Sequence, residues 1–284
     1  MSNPILCIYH GNCADGFGAA LAVHLAKCNS EIDFYPGVYG DGPPDVSGRE
    51  LVIMVDFSYK RDIILDIAKQ VETVVIIDHH KTTVEDLVDL PDNVGTVFDM
   101  NKSGAVLAWE FFHPKEPIPK LLLHIQDRDL WKFELEGTRE IQAAIFAVPY
   151  TFPEWEALLE ADLETLRKEG EIIERKHFKD IHEFIEMAAF WMVIDEYIVP
   201  VLNCPRMWGP DAANILSKNH PFAAAFYYDN NNQVVFSLRS ENGKGIDVAK
   251  FAEKFGGGGH KHAAAFRIDA NDFGRIIKSP NFKL

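Results

Sequence analysis

Three short apolar runs dominate the first third of the chain: PILCIYH (residues 4–10), LVIMVD (51–56) and TVVIID (73–78). They are continuously apolar and rich in Val and Ile, without the polar alternation of a half-exposed strand. That pattern predicts strands buried on both faces, as in a parallel sheet. Between them, residues 16–27 carry Ala, Leu and Val on several helical faces, and residues 59–70 read as an amphipathic helix. Strands separated by helices of this length predict a parallel sheet with helical covers. YGDGPPDVSG (39–48) is a loop by its Gly, Pro and Asp content.

From residue 103 the pattern turns helical, with segments at 104–112, 118–126 and 139–146. Pro153 opens a long charged helical stretch reaching about residue 187. It is apolar along one stripe only, which suits a linker between two domains. Short strands follow at 198–203, 222–228, 234–239 and 263–268, with a helix over 246–254. The expected fold is therefore α/β: a parallel-sheet domain over 1–187, its helical linker included, joined to a smaller α/β domain over 193–284. The boundary is expected within 188–195.

Composition narrows the class of partner. The chain has 284 residues, 47% hydrophobic and 25% charged, as in globular proteins generally. No apolar run reaches bilayer-spanning length, and the N-terminus lacks the layout of a secretory signal. Cys7, Cys13, Cys28 and Cys204 are dispersed without a C-x-x-C pair. Reduced thiols and a cytoplasmic setting are expected. Net charge is −15, distributed as −17 over residues 1–191 and +2 over 192–284. An acidic first part suits cations, and the second part is better suited to an anion. Neither a membrane partner nor a long duplex is expected, since a duplex binder needs many basic contacts; a homodimer is compatible with the sequence.

Each of the three strands ends in a group that binds metal or protons. The first ends at His10 with Asp15 close behind, the second at Asp56, the third at Asp78-His79-His80. One Asp after a strand is usually a cap or turn residue, and isolated histidines such as His24, His113, His177, His182 and His220 are read as structural. Three consecutive strands ending this way are not coincidental, because ligand crevices lie at the carboxyl ends of parallel strands. Asp127 and Asp129, in LHIQDRDLW, end a helical run and could join them. So many carboxylates in one crevice repel one another unless a cation sits among them. Oxygen with some imidazole nitrogen suits Mn²⁺ or Mg²⁺, with zinc remaining open.

These segments resemble the DHH phosphoesterases. YHGNCADGFGAA is similar to that family's first motif, MVDFS to its second, IDHHKT to its DHH signature and IQDRDLW to its fourth. FSLRSENGKGIDVAKFAEKFGGGGHKHAAAF looks like the glycine-rich signature of the DHH-associated domain. Relatives include RecJ-type exonucleases, nano-RNases, bifunctional oligoribonuclease/phosphatases and manganese-dependent pyrophosphatases. The resemblance implies that residues 1–187 form a catalytic, metal-binding domain and 193–284 a substrate-binding one. It implies two Mn²⁺ ions (Mg²⁺ the alternative) held by His10, Asp15, Asp56, His79 and a fourth-motif aspartate, with Asp127 preferred to Asp129 and Asp56 bridging. His80 would face the substrate phosphate, and Asp78 would brace the histidines. One departure stands out: many relatives carry Asp-x-Asp in the first motif, where HGNCAD offers only Asp15. One metal site is then expected to be weaker, to use Asn12 or water, or to select another ion. Cys13 is read as a small buried cysteine rather than a soft ligand.

The run FGGGGHKH admits two readings: a flexible hinge, or a backbone that closely approaches an anion. The resemblance favours the second, with Arg239, Ser240, Gly257, Gly258, Gly259 and His260 gripping a nucleotide or its phosphate. The expected activity is a metal-dependent phosphohydrolase on short single-stranded oligonucleotides or small nucleotides such as nucleoside bisphosphates, by attack of metal-bound hydroxide. The competing readings are a pyrophosphatase or exopolyphosphatase with the same metal centre, and a degenerate, non-hydrolytic nucleotide-binding protein. A dinucleotide-dependent oxidoreductase is disfavoured because no G-x-G-x-x-G follows the first strand.

Overall fold

The computed structural model describes residues 4–26 and 31–278. The chain divides into two compact units, 1–174 and 175–284. The division falls upstream of the 188–195 stretch where the sequence places it.

In the first unit five parallel strands form one sheet: β1 (Ile5–His10), β2 (Ile32–Gly37), β3 (Leu51–Val55), β4 (Thr73–Asp78) and β5 (Val94–Phe98), in the order β2-β1-β3-β4-β5. The continuous apolar runs are explained by burial on both faces. Cys7, Ile53, Val55 and Ile77 enter one core, and Leu6, Ile8, Val52, Met54, Val74 and Ile76 enter the other. Alternate side chains of one strand thus feed opposite layers. The first layer is built from α1 (Ala14–Leu25) and, past α2 (Arg61–Ala68) and α3 (Lys81–Asp86), from α4 (Gly104–Phe112), α5 (Lys120–Asp129), α6 (Thr138–Phe146) and α7 (Phe152–Glu160). The second is built with α2, through Ile64 and Ile67.

Two strands of this unit were not anticipated, β2 and β5. Both lie at sheet edges, where exposure weakens the apolar run and Pro36 is tolerated. The long charged stretch is also interrupted. Ala161 is extended, and Asp162 caps α8 (Leu163–Ala188) by accepting from the backbone N–H and hydroxyl of Thr165, at 3.0 and 2.9 Å. The boundary between the units lies inside α8.

The second unit is a seven-stranded sheet formed by β6 (Phe190–Ile194), β7 (Tyr197–Asn203), β8 (Ala223–Tyr228), β9 (Gln233–Arg239), β10 (Gly258–His260), β11 (Ala263–Asp269) and β12 (Ile277–Lys278). The order is β10-β11-β9-β8-β7-β6-β12, and among these described strands β7 and β8 alone pair in parallel. One face packs on α10 (Val248–Glu253) through Val248, Phe251 and Ala252. The other packs on α9 (Gly209–Leu216) and Ile181 of α8. The fold class is α/β, as the apolar pattern requires.

Candidate metal centre

Register sets the site. Tyr9 lies level with Val55, and Val55 with Ile77, so the residues just beyond them, His10, Asp56 and Asp78, emerge at one sheet edge. In this strand order the chain leaves β1 toward β2 on one side, while β3 lies on the other. That reversal opens a crevice at the carboxyl ends of β1 and β3.

Local backbone features bring the side chains inward. Asp56 is in the left-handed region (φ 53°), yet its N–H still donates to the Ile77 carbonyl at 2.9 Å. A non-glycine residue held there marks a position fixed by its surroundings. Gly104 makes room for it, since a Cβ would come within 2.4 Å of the Asp56 Cβ. Gly16 does the same for β1: its Cβ would lie 2.2 Å from the His10 carbonyl oxygen. Without that glycine, α1 could not start close enough to present Asp15. Asp15 in turn accepts from the first N–H groups of α4, Gly104 at 2.6 Å and Ala105 at 3.0 Å, where the helix dipole favours an anion.

His79 stands among three carboxylates. Its Nε2 is 3.0 Å from Asp56 Oδ1, 3.5 Å from Asp129 Oδ2 and 3.6 Å from Asp15 Oδ2. On the other side of Asp56, His10 Nδ1 lies 3.3 Å from Oδ2. The carboxylate of Asp56 therefore faces one imidazole with each oxygen. Asp78 Oδ1 accepts from the backbone N–H of His79 at 2.8 Å and from Nδ1 of His80 at 2.7 Å. His80 is thereby oriented with Nε2 directed away from Asp78.

The electrostatics are those of crowded acids. Burial pushes Asp15 well above the usual carboxylate range, with Asp56 and Asp129 adding to it. Burial raises Asp129 as well, although His79 opposes it. Burial alone would also raise Asp56, but the adjacent imidazoles of His10 and His79 win and hold it well below. For Asp78 burial is likewise outweighed, here by His80, and its pKa is lowered. Burial works against a charged His79, yet Asp129, Asp56 and Asp15 push its pKa well above the ordinary value. His10 is raised in the same sense, burial being outweighed by Asp56.

These residues fit divalent cations. The donors are carboxylate oxygen and imidazole nitrogen, and Oδ2 of both Asp56 and Asp129 is buried with no hydrogen-bond partner. Buried polar atoms of this kind are costly unless something coordinates them. His10, Asp15, Asp56 and His79 are brought together as the strand ends predict.

The preference for Asp127 over Asp129 does not fit the geometry. Asp127 accepts from the backbone N–H groups of Glu134 and Leu135, at 2.9 and 3.0 Å, and from the Thr138 hydroxyl at 2.6 Å. It pins the turn after α5, where Trp131 and Phe133 are left-handed. Asp129 supplies the carboxylate that enters the cluster.

In the second unit, the glycine run is not a loose hinge. Gly258 and His260 pair with Ala265 and Ala263 as the edge strand β10. A Cβ on Gly257 would come within 2.1 Å of the Ala265 carbonyl oxygen, and Gly259 has φ 140°. Close approach to β11 therefore accounts for both glycines. Ser240 is committed to the fold: its buried hydroxyl donates to the Ile246 carbonyl at 2.8 Å and lies 2.9 Å from His262 Nδ1. Direct contact with a phosphate does not fit that role. Arg239 ends β9, donating from Nη1 to the Leu238 carbonyl at 2.8 Å.

Two further residues at the crevice had no assigned role. Tyr39, 41% exposed, sets its ring 5.2 Å from His10 and 5.9 Å from His80. It comes from the Gly- and Pro-rich loop, where no periodicity marks it. Cys13 has its sulfur within 4.8 Å of ligand atoms of both His10 and Asp56. His24, His113 and His177 hydrogen-bond to Glu156, the Ala22 carbonyl and Asp211, as structural histidines do.

Residues 210–281 match the family model of the DHHA1 domain. That match stands behind a parallel sheet ending in Asp78-His79-His80, at the expected distance along the chain. The second unit thus carries a DHHA1 domain. Its fold is similar to that of the pGpG-specific phosphodiesterase PggH from Vibrio cholerae, with a TM-score of 0.51 at 16% identity over 96% of this chain and 95% of that one. It is similar also to RecJ from Thermus thermophilus, solved in complex with Mn²⁺, with a TM-score of 0.51 at 15% identity over 96% of this chain and 50% of RecJ. Among curated proteins, the uncharacterised protein R106 of Acanthamoeba polyphaga mimivirus is 30% identical over 281 residues, covering 90% of this chain. The chain spans 66% of that relative's length. Among the described residues, no helix is long and apolar enough to cross a membrane.

Proposed function

We propose that this protein is a phosphoesterase of the DHH family, a metal-dependent phosphohydrolase acting on short oligonucleotides or small nucleotides. The observation that carries the reading is the anion-rich pocket in which His79 meets Asp15, Asp56 and Asp129 within 3.0–3.6 Å. Two divalent cations, Mn²⁺ the first candidate, would supply Lewis-acid polarisation of the phosphoryl group and acidification of a water. His10, Asp15, Asp56, His79 and Asp129 would hold them.

The chain's own groups do the rest. His80, whose Nδ1 donates to Asp78, would as an imidazolium also present an Nε2–H to the phosphoryl group or the leaving oxygen. Asp78 fixes that orientation. In the second unit, Arg239 and His260 are proposed to hold the nucleotide, with the edge strand β10 offering backbone groups beside them. The acidic balance of residues 1–191 disfavours long polyanions. PggH is named as a pGpG-specific phosphodiesterase, which makes linear dinucleotides the first substrates to try.

A panel with Mn²⁺ tests the reading: dinucleotides, longer single strands, adenosine bisphosphate, pyrophosphate and polyphosphate. Turnover of dinucleotides or bisphosphates is expected. Turnover of polyphosphate alone would transfer the centre to inorganic substrates, and none on any member would leave a nucleotide binder.

A further inference from the structure

We propose that the two cation sites are chemically unlike, and that Cys13 makes one of them a sulfur site selective for zinc over manganese. This rests on the two-metal reading above and sharpens it. The Cys13 sulfur, a ring nitrogen of His10 and a carboxylate oxygen of Asp56 lie within 4.8 Å of one another. That spacing approaches the span of one ion's ligands, since a zinc–sulfur bond is about 2.3 Å and zinc–nitrogen or zinc–oxygen bonds about 2.0–2.2 Å, and a small side-chain rotation would bring all three into reach. Asp56 is 1% exposed, and its Oδ2, which faces His10 at 3.3 Å, has no hydrogen-bond partner. The His10 imidazole makes no hydrogen bond of good geometry to it, so this buried carboxylate oxygen lacks a partner. A cation meets that need.

The position of Cys13 argues the same way. It is the N-cap of α1, its extended backbone accepts from Phe17 at 3.0 Å, and its side chain makes no capping hydrogen bond. Helix stability would favour Ser, Thr, Asp or Asn there. Cysteine forgoes the cap and sets sulfur in the crevice instead. Cys13 is also free of disulfides. The neighbouring set of Asp15, His79 and Asp129 holds oxygen and nitrogen only. Thiolate selects soft and borderline ions such as Zn²⁺, whereas carboxylate-rich sets suit Mn²⁺ and Mg²⁺. One centre thus offers N/O/S ligands on the His10 side and N/O ligands on the His79 side, with Asp56 common to both.

Cobalt(II) is the probe, because a thiolate–cobalt bond gives a charge-transfer absorption in the near ultraviolet. Wild-type protein, Cys13→Ser and Cys13→Asp are each loaded with Co²⁺, and bound cobalt is counted by elemental analysis. Cys13→Ser and Cys13→Asp both place a favoured N-cap residue at the start of α1, and Cys13→Ser adds no charge to the crowded acids. Wild type is expected to bind two cobalt ions with the charge-transfer band. Cys13→Asp should bind two without it, and Cys13→Ser should lose the band and weaken one site. In competition, Cys13→Asp should reduce the preference for Zn²⁺ over Mn²⁺ by at least about 10-fold, exchange of a thiolate for a carboxylate ligand weighing no less than the 10–100-fold of an outer-shell change. Two cobalt ions without the band in wild type would overturn the sulfur site while leaving the two-metal reading intact. Failure of wild type to bind two cobalt ions would overturn both.

Discussion

Asp127 and Asp129 sit two positions apart on α5, which places them on different faces of the helix. Only one can enter the crevice. Sequence shows two acids at the end of a helical run; it does not show the rotation of that run about its axis, which is fixed by Leu121, Leu122 and Ile125 packing into the core. The roles separate experimentally. Asp129→Ala should lose one bound divalent ion and at least about 100-fold in kcat/KM, by the scale of metal-site perturbations. Asp127→Ala should keep its metal but leave two N–H groups and a hydroxyl without their acceptor, lowering stability by about 1–3 kcal/mol in denaturant unfolding. By contrast, His10, Asp56 and the Asp78-His80 triplet were legible because each terminates a continuous apolar run. The register of such strands leaves little freedom for where their ends lie. Cys13 was not, since nothing in a lone cysteine distinguishes a ligand from a small buried side chain.

At the scale of elements, helices with full apolar faces and central strands could be read from the chain, and edges could not. β2 and β5 bury only part of their length, so their pattern is diluted by exposed positions. The glycine run shows a related limit: four glycines admit a hinge in isolation, but here Gly257 and Gly259 let β10 approach β11. The contact of α4 with the site gives a sharper case. Gly104→Ala would drive a methyl into Asp56, whose left-handed backbone has little room to yield. Displacing a ligand by about 1 Å can cost about 100-fold, and kcat/KM should fall by that order while the chain remains folded. Gly95→Ala in β5, with nothing within 4 Å of the added carbon, should leave kcat/KM unchanged.

Across the whole molecule, the centre couples stability to pH and metal. The metal-free chain keeps Asp15 and Asp129 raised by burial, and His79 raised by the acids around it. A raised histidine contributes stability fully below its unfolded value, about 6.5, and loses it as pH rises through the higher folded value. The raised acids act in the same direction above about 3.9. Melting temperature in EDTA should therefore fall from pH 6 to 8.5, and saturating Mn²⁺ should flatten that slope. At metal 100-fold over Kd the gain is about 2.7 kcal/mol, roughly 5–10 °C for a unit of this size. An EDTA profile rising with pH would contradict the crowded-acid description.

The central claim is a pair of cations gathered where β1, β3 and β4 end, with Asp56 shared between them. Equilibrium dialysis against saturating Mn²⁺, followed by elemental analysis, counts them directly. The account predicts two ions per wild-type chain, and one or none after Asp56→Ala. No manganese in the wild type, or two ions retained by Asp56→Ala, would contradict it.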